Sequence, residues 1–236
     1  MTTFRSHMFR YQYLPGHIAW DRGSTRGFER VFRFLELPEY ADQFVAGRVM
    51  VSTLETCRRH EARGRGDPIE GQQTRVQGEA ISILDQADAV TAERIRRLGL
   101  PPGGPDSFYA HNARTERLLD AHVLCFSEVF APDVFADMGL PYCVEITNPT
   151  RAFDLLDAAV ARRFPVLGGA FSLVSYTSTR YVEDEPEPGL LGFVKEPDGF
   201  AHQREARMLW LPQVQGVLEQ GIVDATGLST VCRRIL

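Results

Sequence analysis

The residues best suited to chemistry in this sequence lie close together near the end of the chain. Gln203, Glu205 and Arg207 alternate along the segment Ala201–Leu211, whose apolar residues predict a β-strand. Because successive strand side chains point to opposite faces, these three would share one polar face. Arg207, roughly 7 Å along the strand from Glu205, would favour the ionised carboxylate. A solvent-facing edge strand with an ordinary ion pair is the alternative interpretation.

Other reactive side chains are few and scattered. Lys195 is the only lysine among 26 basic residues, and it is expected either to contact a phosphate or to be the solvated end of a strand. The cysteines, at positions 57, 125, 143 and 232, are too far apart for a zinc motif or a disulfide framework. The sequence contains no zinc-protease, serine-hydrolase, P-loop, dinucleotide-binding or calcium-loop motif. We therefore predict no metal site.

Hydrophobic periodicity predicts the elements that must position these residues. Helices are expected at Gly27–Leu37 and, with Thr150 as its cap, at Arg151–Phe164. Strands are expected at His7–Leu14, Gly47–Thr53, Ala121–Ser127, Tyr142–Thr147, Phe171–Thr179, Leu190–Lys195, Ala201–Leu211 and Ser229–Leu236.

The order of these elements favours a mixed α+β fold with a largely antiparallel sheet, because regular strand–helix alternation is missing from the last third. We expect a split antiparallel β-sandwich with peripheral helices, and a ligand that enters between its sheets. The whole chain, 1–236, is expected to form a single domain, with a helical or loop insertion at 56–118.

Charge and composition exclude several classes of protein. The chain has 26 basic and 31 acidic residues, for a net charge of −5, which argues against a protein that mainly coats nucleic acid. No apolar run approaches the roughly 18 residues of a membrane span, and the first residues do not resemble a signal peptide. We expect a soluble cytoplasmic protein without a membrane partner.

A resemblance to a known enzyme class rests on three short segments. Gln203-Arg204-Glu205 resembles the Q/E-x-E element of toxin-like ADP-ribosyltransferases of the R-S-E class. That class places an arginine on the first strand and an S-T-x run on a second strand. Phe9-Arg10-Tyr11 and Val51-Ser52-Thr53 fit these positions, in the same order and on segments predicted as strands.

The resemblance implies an enzyme that cleaves NAD and transfers ADP-ribose, without a metal. Glu205 would orient the ribose and stabilise the oxocarbenium character that develops as nicotinamide leaves. Gln203 would lie beside the entering nucleophile, and its neutral amide in place of a carboxylate points away from arginine as the acceptor.

The same resemblance implies a set of residues that bind NAD. Arg10 would hold a phosphate or a ribose hydroxyl through its planar guanidinium. Ser52 and Thr53 would support Glu205 and the nicotinamide ribose, and Arg207 would assist them. Tyr11 or Tyr13 would stack on nicotinamide, unless these aromatic residues lie in the core.

The whole chain also resembles a widespread bacterial domain family of unknown function that is associated with abortive infection and phage defence. The matching segments are Met8–Tyr13, Arg48–Ser52, Asp67-Pro68-Ile69-Glu70-Gly71, Val123–Ser127 and Lys195 with Glu205-Ala206-Arg207. Gly66 replaces the family's usual asparagine, and the helix after Ser127 lacks its tryptophan. This resemblance implies a bacterial toxin or antiviral defence effector with a protein or nucleic-acid acceptor and a neutralising antitoxin.

Two other functions stay open at this point. One is a non-catalytic binding module of a defence or regulatory system. The other is a nuclease or hydrolase that would use Glu205, Arg207, His202 and Glu145. The sequence also does not decide whether Ser127 takes the place of Ser52 in the cleft.

Overall fold

The structure is a computed structural model, and it describes residues 29–59, 66–78, 111–118, 120–182, 185–214 and 216–236. Its helices are α1 Pro38–Val45, α2 Leu54–Arg59, α3 Pro132–Asp137 and α4 Pro149–Arg163, with short 3-10 helices at Ala201–Gln203 and Leu228–Thr230. Its strands are β1 Val31–Leu35, β2 Arg48–Thr53, β3 Gln72–Gly78, β4 His111–Arg117, β5 His122–Ser127, β6 Tyr142–Ile146, β7 Val166–Leu173, β8 Ser175–Tyr176, β9 Arg180–Val182, β10 Val194–Lys195, β11 Glu205–Pro212, β12 Gly221–Asp224 and β13 Cys232–Arg234. The fold is mixed α+β with mostly antiparallel strands, as predicted.

The described residues divide into two compact units. The larger unit falls within 1–72, 117–179 and 188–236, and it contains the eight-stranded sheet. The smaller unit falls within 73–116 and 180–187, and β4, β3 and β9 form a three-stranded sheet there. Most of the smaller unit lies in the segment 56–118 in which we expected an insertion, while the single-domain expectation stays a prediction.

Strand β5 is the centre of the large sheet. Along one edge it pairs with β11 over its whole length, from Glu205 opposite Ser127 to Trp210 opposite His122, and β11 pairs in turn with β7. The other edge of β5 is shared, because β2 pairs with its first residues and β1 pairs with its last. The sheet therefore forks at β5 into one branch of β2 and β12 and a second branch of β1, β6 and β13.

The helix predicted over Gly27–Leu37 is wrong in its described part, because Val31–Leu35 forms strand β1. This strand lies between β5 and β6 and is covered on both faces, with Val31 in the main core and Phe34 stacked on Phe135 at a centroid distance of 4.0 Å. A nearly continuous apolar run suits such a strand, and its residues also match helical spacing. The sequence pattern therefore fits a helix and a strand equally well. Pairing with β5 and β6 makes this segment a strand.

Helix α4 covers one face of the sheet, and its sequence explains where it begins. Asn148, not the predicted Thr150, is the cap, since its side chain accepts a hydrogen bond from the Arg151 backbone N–H at 3.0 Å. Pro149 follows at the first helical position, where its fixed φ angle is favourable. The helix predicted at Arg151–Phe164 is otherwise confirmed. Among the described residues, no helix combines the length and apolar character needed to cross a membrane.

The packing between α4 and β11 leaves no room beside Gly169. Trp210 is fully buried and donates its indole N–H to Asp157 of α4 at 2.9 Å. A Cβ atom on Gly169 would lie 2.3 Å from the Trp210 ring and 2.8 Å from Asp157 Oδ1. The glycine is therefore required for the close approach of β7 to this side chain.

We expect Gly169→Ala to lower the free energy of unfolding by about 2 kcal/mol, because the indole ring must shift from its hydrogen-bonded position. Urea denaturation followed by tryptophan fluorescence measures the change. Gly216→Ala is the matched control, since a Cβ atom there meets nothing within 4 Å, and it should change stability by less than about 0.5 kcal/mol. Equal stabilities of the two variants would contradict this account of the packing.

Candidate functional site

A cavity of about 500 Å³ lies where the sheet forks, and β1, β2, β5, β11 and α1 all contribute to its wall. Its volume falls within the range of small-molecule sites. Aromatic rings make up much of the lining, including those of Phe32, Phe34, Tyr40, Phe44 and Phe126. The polar side chains of the lining include Arg33, Arg48, Ser52, Ser127 and Gln203, together with four charged groups that form ion pairs.

Those four groups, Glu70, Lys195, Glu205 and Arg207, form a buried ion network. Arg207 donates to Glu205 Oε1 from Nε at 2.8 Å and approaches it from Nη2 at 2.7 Å, while its Nη1 lies 2.6 Å from Glu70 Oε1. Lys195 Nζ lies 2.8 Å from Glu205 Oε2 and 3.2 Å from Glu70 Oε2. At most 6% of any of these side chains is exposed. Each cation therefore bridges both carboxylates.

Mutual attraction keeps Glu205, Lys195 and Arg207 charged despite burial. Burial alone would raise the pKa of Glu205, but Arg207 and Lys195 outweigh it and hold that pKa at about 2. Burial likewise opposes the charge of Lys195, and the Glu205 and Glu70 carboxylates nevertheless raise its pKa above the ordinary value. The formal charges of the two cations and the two carboxylates in the network cancel.

The Asp67–Gly71 turn delivers Glu70 to the network. Asp67 Oδ1 accepts the backbone N–H of Ile69 at 3.0 Å, and Gly71 ends the turn at a φ of 68°, which favours glycine. Arg58 of α2 donates its Nε to the Glu70 carbonyl at 2.9 Å. Burial and the neighbouring Glu70 charge raise the pKa of Asp67. In the sequence analysis this turn was only one of the segments that match the family. In the structure it positions Glu70 in the site.

Gln203 and Glu205 are both part of the cavity wall, but not through the predicted strand. The segment Ala201–Gln203 is a 3-10 helix, and Arg204 has a left-handed φ of 46°, so the strand begins only at Glu205. The side chain of Gln203 therefore does not share a strand face with Glu205 and Arg207, contrary to the prediction from strand alternation. Ser127 Oγ instead fixes this turn by donating to the Gln203 carbonyl at 2.8 Å.

Ser52 and Thr53 point to opposite sides of β2. Ser52 lies on the same face as Arg48, and both line the cavity. Thr53 is buried on the other face, where its Oγ1 accepts the backbone N–H of Thr56 at 3.1 Å and begins helix α2. Of the predicted pair Ser52 and Thr53, only Ser52 lines the cavity. Arg10 and Tyr11, the other predicted binding residues, lie outside the described residues.

Arg33 is a cavity residue that the sequence analysis missed. It lies at the centre of β1, and its Nη1 donates to the backbone carbonyl of Cys125 in β5, in the gap where neither branch of the sheet pairs with that strand. Phe32-Arg33-Phe34 repeats the Phe-Arg-aromatic pattern of Phe9-Arg10-Tyr11. This shared pattern could have identified Arg33 as a candidate site residue. It was not used because the segment was predicted to be a helix.

Of the residues in the nuclease hypothesis, Glu205 and Arg207 line this cavity, whereas Glu145 and His202 do not. Glu145 lies on β6, where it pairs with Arg233 at 2.8 Å and with Arg30 at 3.3 Å, and His202 is exposed. Within the part of the chain that the structure describes, no three His, Cys, Asp or Glu side chains are grouped as metal ligands would be.

The chain matches no family model, no curated protein and no solved structure. The resemblances stated from short motifs stay predictions for that reason.

Replacing Glu70 by glutamine should expose the dependence of the fold on the buried ion network. Glu70→Gln keeps the shape of the side chain but leaves two buried cations with one carboxylate, so we expect a loss of about 3 kcal/mol in the free energy of unfolding. Glu128→Gln is the control, because Glu128 pairs with Arg204 at the surface and should contribute less than about 1 kcal/mol. Denaturant titration of both variants measures the difference, and similar losses would contradict the prediction.

Acid should weaken the fold through Glu205. Its folded pKa of about 2 lies below that of an unfolded glutamate, so its stabilising contribution is complete above about pH 4.5 and is lost as the pH falls towards 2. We expect the free energy of unfolding to fall more steeply over this window in the wild type than in Glu205→Gln. Denaturation at a series of pH values tests this, and identical slopes would show that Glu205 does not titrate in this way.

Proposed function

We propose that this protein is an NAD-cleaving enzyme of the ADP-ribosyltransferase type, which transfers ADP-ribose to an acceptor other than arginine or to water. The observation that supports this most is the meeting of Glu205, Gln203 and Ser52 at one cavity. Ser52 is about 150 positions from the other two in the sequence, and each residue belongs to a motif of the R-S-E class.

Glu205 supplies the negative charge that this reaction requires. With its low pKa the carboxylate is ionised at neutral pH, and it would attract the positive charge that develops on the ribose as nicotinamide leaves. Arg207 and Lys195 occupy three of its acceptor positions, and the thiol of Cys125 also hydrogen-bonds to it. A thiol is a weak donor, so a ribose hydroxyl can replace it.

Two arginines would hold the phosphates of NAD. Arg33 and Arg48 line the cavity from the two branches of the fork, and a guanidinium offers several donors in a plane that suits phosphate oxygens. Arg33 takes the role that the resemblance gave to Arg10. The aromatic side chains of the same wall provide flat surfaces for the nicotinamide and adenine rings.

The forked sheet supports a split-sandwich interpretation of the fold. Its branches, β2 with β12 and β1 with β6 and β13, diverge from β5 and leave the cavity between them. In that interpretation β5 and β11 are the shared wall. The dinucleotide would enter at the divergence, a concave place of the kind that ligands commonly occupy.

The biological role that accompanies this activity is that of a bacterial toxin or defence effector. Gln203 lines the same cavity as Glu205, and its neutral amide suits a nucleic-acid base or a neutral protein side chain better than a guanidinium. Water is a third acceptor, and it would make the enzyme an NAD hydrolase. A cell that carries such an activity would need a neutralising partner.

The ion network also supports a second function, that of a non-catalytic binding module. Three ionic contacts neutralise Glu205, and a carboxylate held this firmly stabilises a developing cation less than an unpaired one. Such a module would bind a nucleotide in the same cavity without cleaving it.

Incubation of the purified protein with NAD, with nicotinamide release as the measurement, tests the proposed function. We expect release by the wild type, a loss of about 100-fold or more in Glu205→Gln and a smaller loss in Ser52→Ala. Circular dichroism verifies the fold of each variant, and Ser52→Ala remains informative if Glu205→Gln does not fold.

Glu128→Gln is the matched control, since Glu128 forms a surface ion pair with Arg204 and should leave the rate unchanged. NAD binding without release, measured by calorimetry, would favour the binding module. Neither binding nor release by the wild type would show that the proposal is wrong.

A further inference from the structure

Two of the cysteines meet at the cavity although 68 positions separate them in the sequence. Cys57 of α2 and Cys125 of β5 both line the cavity and both pack against the same apolar cluster, which includes Leu54 and Leu209. Cys125 lies directly opposite Arg207 in the pairing of β5 with β11. Both residues are half-buried, and the cavity gives small molecules a route to them.

The two thiols lie at the wall of the same cavity, beside the same apolar cluster, and differ in acidity. The Cys125 thiol hydrogen-bonds to the Cys57 sulfur, and this contact lowers the pKa of Cys57, with a further contribution from the Arg207 charge. The same contact and burial raise the pKa of Cys125. A low-pKa thiol next to a second thiol is the arrangement in which one sulfur attacks and the other resolves.

We propose that Cys57 and Cys125 form an oxidisable dithiol that reacts with small disulfides to give an intramolecular disulfide at the cavity wall. The Cys57 thiolate attacks one sulfur of the small disulfide, forming a mixed disulfide and releasing one thiolate. Cys125 then attacks the Cys57 sulfur and expels the second thiolate, which takes up the Cys125 proton. Two protein thiols are oxidised, and one small disulfide is reduced to two thiols.

Oxidation would also change the environment of Glu205. The one S–H of Cys125 can donate either to the Cys57 sulfur or to the Glu205 carboxylate, and a disulfide has no S–H to donate. The disulfide would therefore remove one donor from the buried ion network and draw the two walls of the cavity together at this point. This thiol chemistry does not require that the cavity bind NAD.

The remaining two cysteines provide an internal comparison. Cys143 and Cys232 are buried, and burial raises the pKa of Cys143 to about 12 and that of Cys232 to about 11. Neither lines the cavity. Both should therefore react with small disulfides at least about tenfold more slowly than Cys57.

The experiment treats the native full chain with bis(2-hydroxyethyl) disulfide and measures intact mass and cysteine-containing peptides. The wild type should lose about 2 Da and yield a Cys57–Cys125 linked peptide, whereas Cys125→Ser should stop at a mixed disulfide on Cys57 with a gain of about 76 Da. Dithiothreitol should reverse both changes.

Cys232→Ser is the matched control, because a serine can keep the hydrogen bond to the Leu228 carbonyl, and it should still form the disulfide. Peptide mapping of the wild type requires no variant to fold. A wild type that keeps its mass, or a linkage that involves Cys143 or Cys232, would overturn the proposal. So would a Cys125→Ser variant in which Cys57 is not modified.

Discussion

The rest of the site depends on the mutual neutralisation of four buried charges. Each of these ions would be very costly to bury alone, and the attraction between opposite charges offsets that cost only when the geometry is good. Arg207 meets both carboxylates through its guanidinium, and Lys195 meets both through its ammonium. The turn with Glu70, the short strand with Lys195 and strand β11 must therefore come together in one arrangement.

The fork of the sheet explains why a cavity exists beside these charges. A central strand normally pairs along both edges, but β5 shares one edge between β1 and β2, and space remains between them. Arg33 compensates in part, because its guanidinium supplies the Cys125 carbonyl with the hydrogen bond that a neighbouring strand would otherwise give. A ligand in this space would thus meet a charged wall on β11 and an arginine on β1.

Sequence patterns predicted the elements better than their mutual arrangement. Three predicted strands are confirmed, with β2 in Gly47–Thr53, β5 in Ala121–Ser127 and β6 in Tyr142–Thr147. They could be predicted because each is a short apolar run bounded by turn residues. The run at Val31–Leu35 fits helix and strand equally well, and only its two pairing partners decide between them. Local spacing contains no information about partners that lie about a hundred residues away in the sequence.

The candidate site was predicted only in part, because local spacing does not show which distant residues meet there. Alternation correctly put Glu205 and Arg207 on one face, but it failed for Gln203, because the left-handed Arg204 interrupts the strand. Lys195 was expected at a phosphate or at a solvated strand end, and it is instead buried between two carboxylates. Its partner Glu70 lies 125 positions earlier in the chain, so no local pattern could reveal the pair.

The burial of Lys195 also has a practical consequence. It is the only lysine in the sequence, and only 6% of its side chain is exposed. Acylating reagents need an accessible neutral amine, and this one is enclosed and held as an ammonium ion. The protein therefore offers such reagents no reactive lysine while it is folded, and modification at Lys195 would report that the interior had opened.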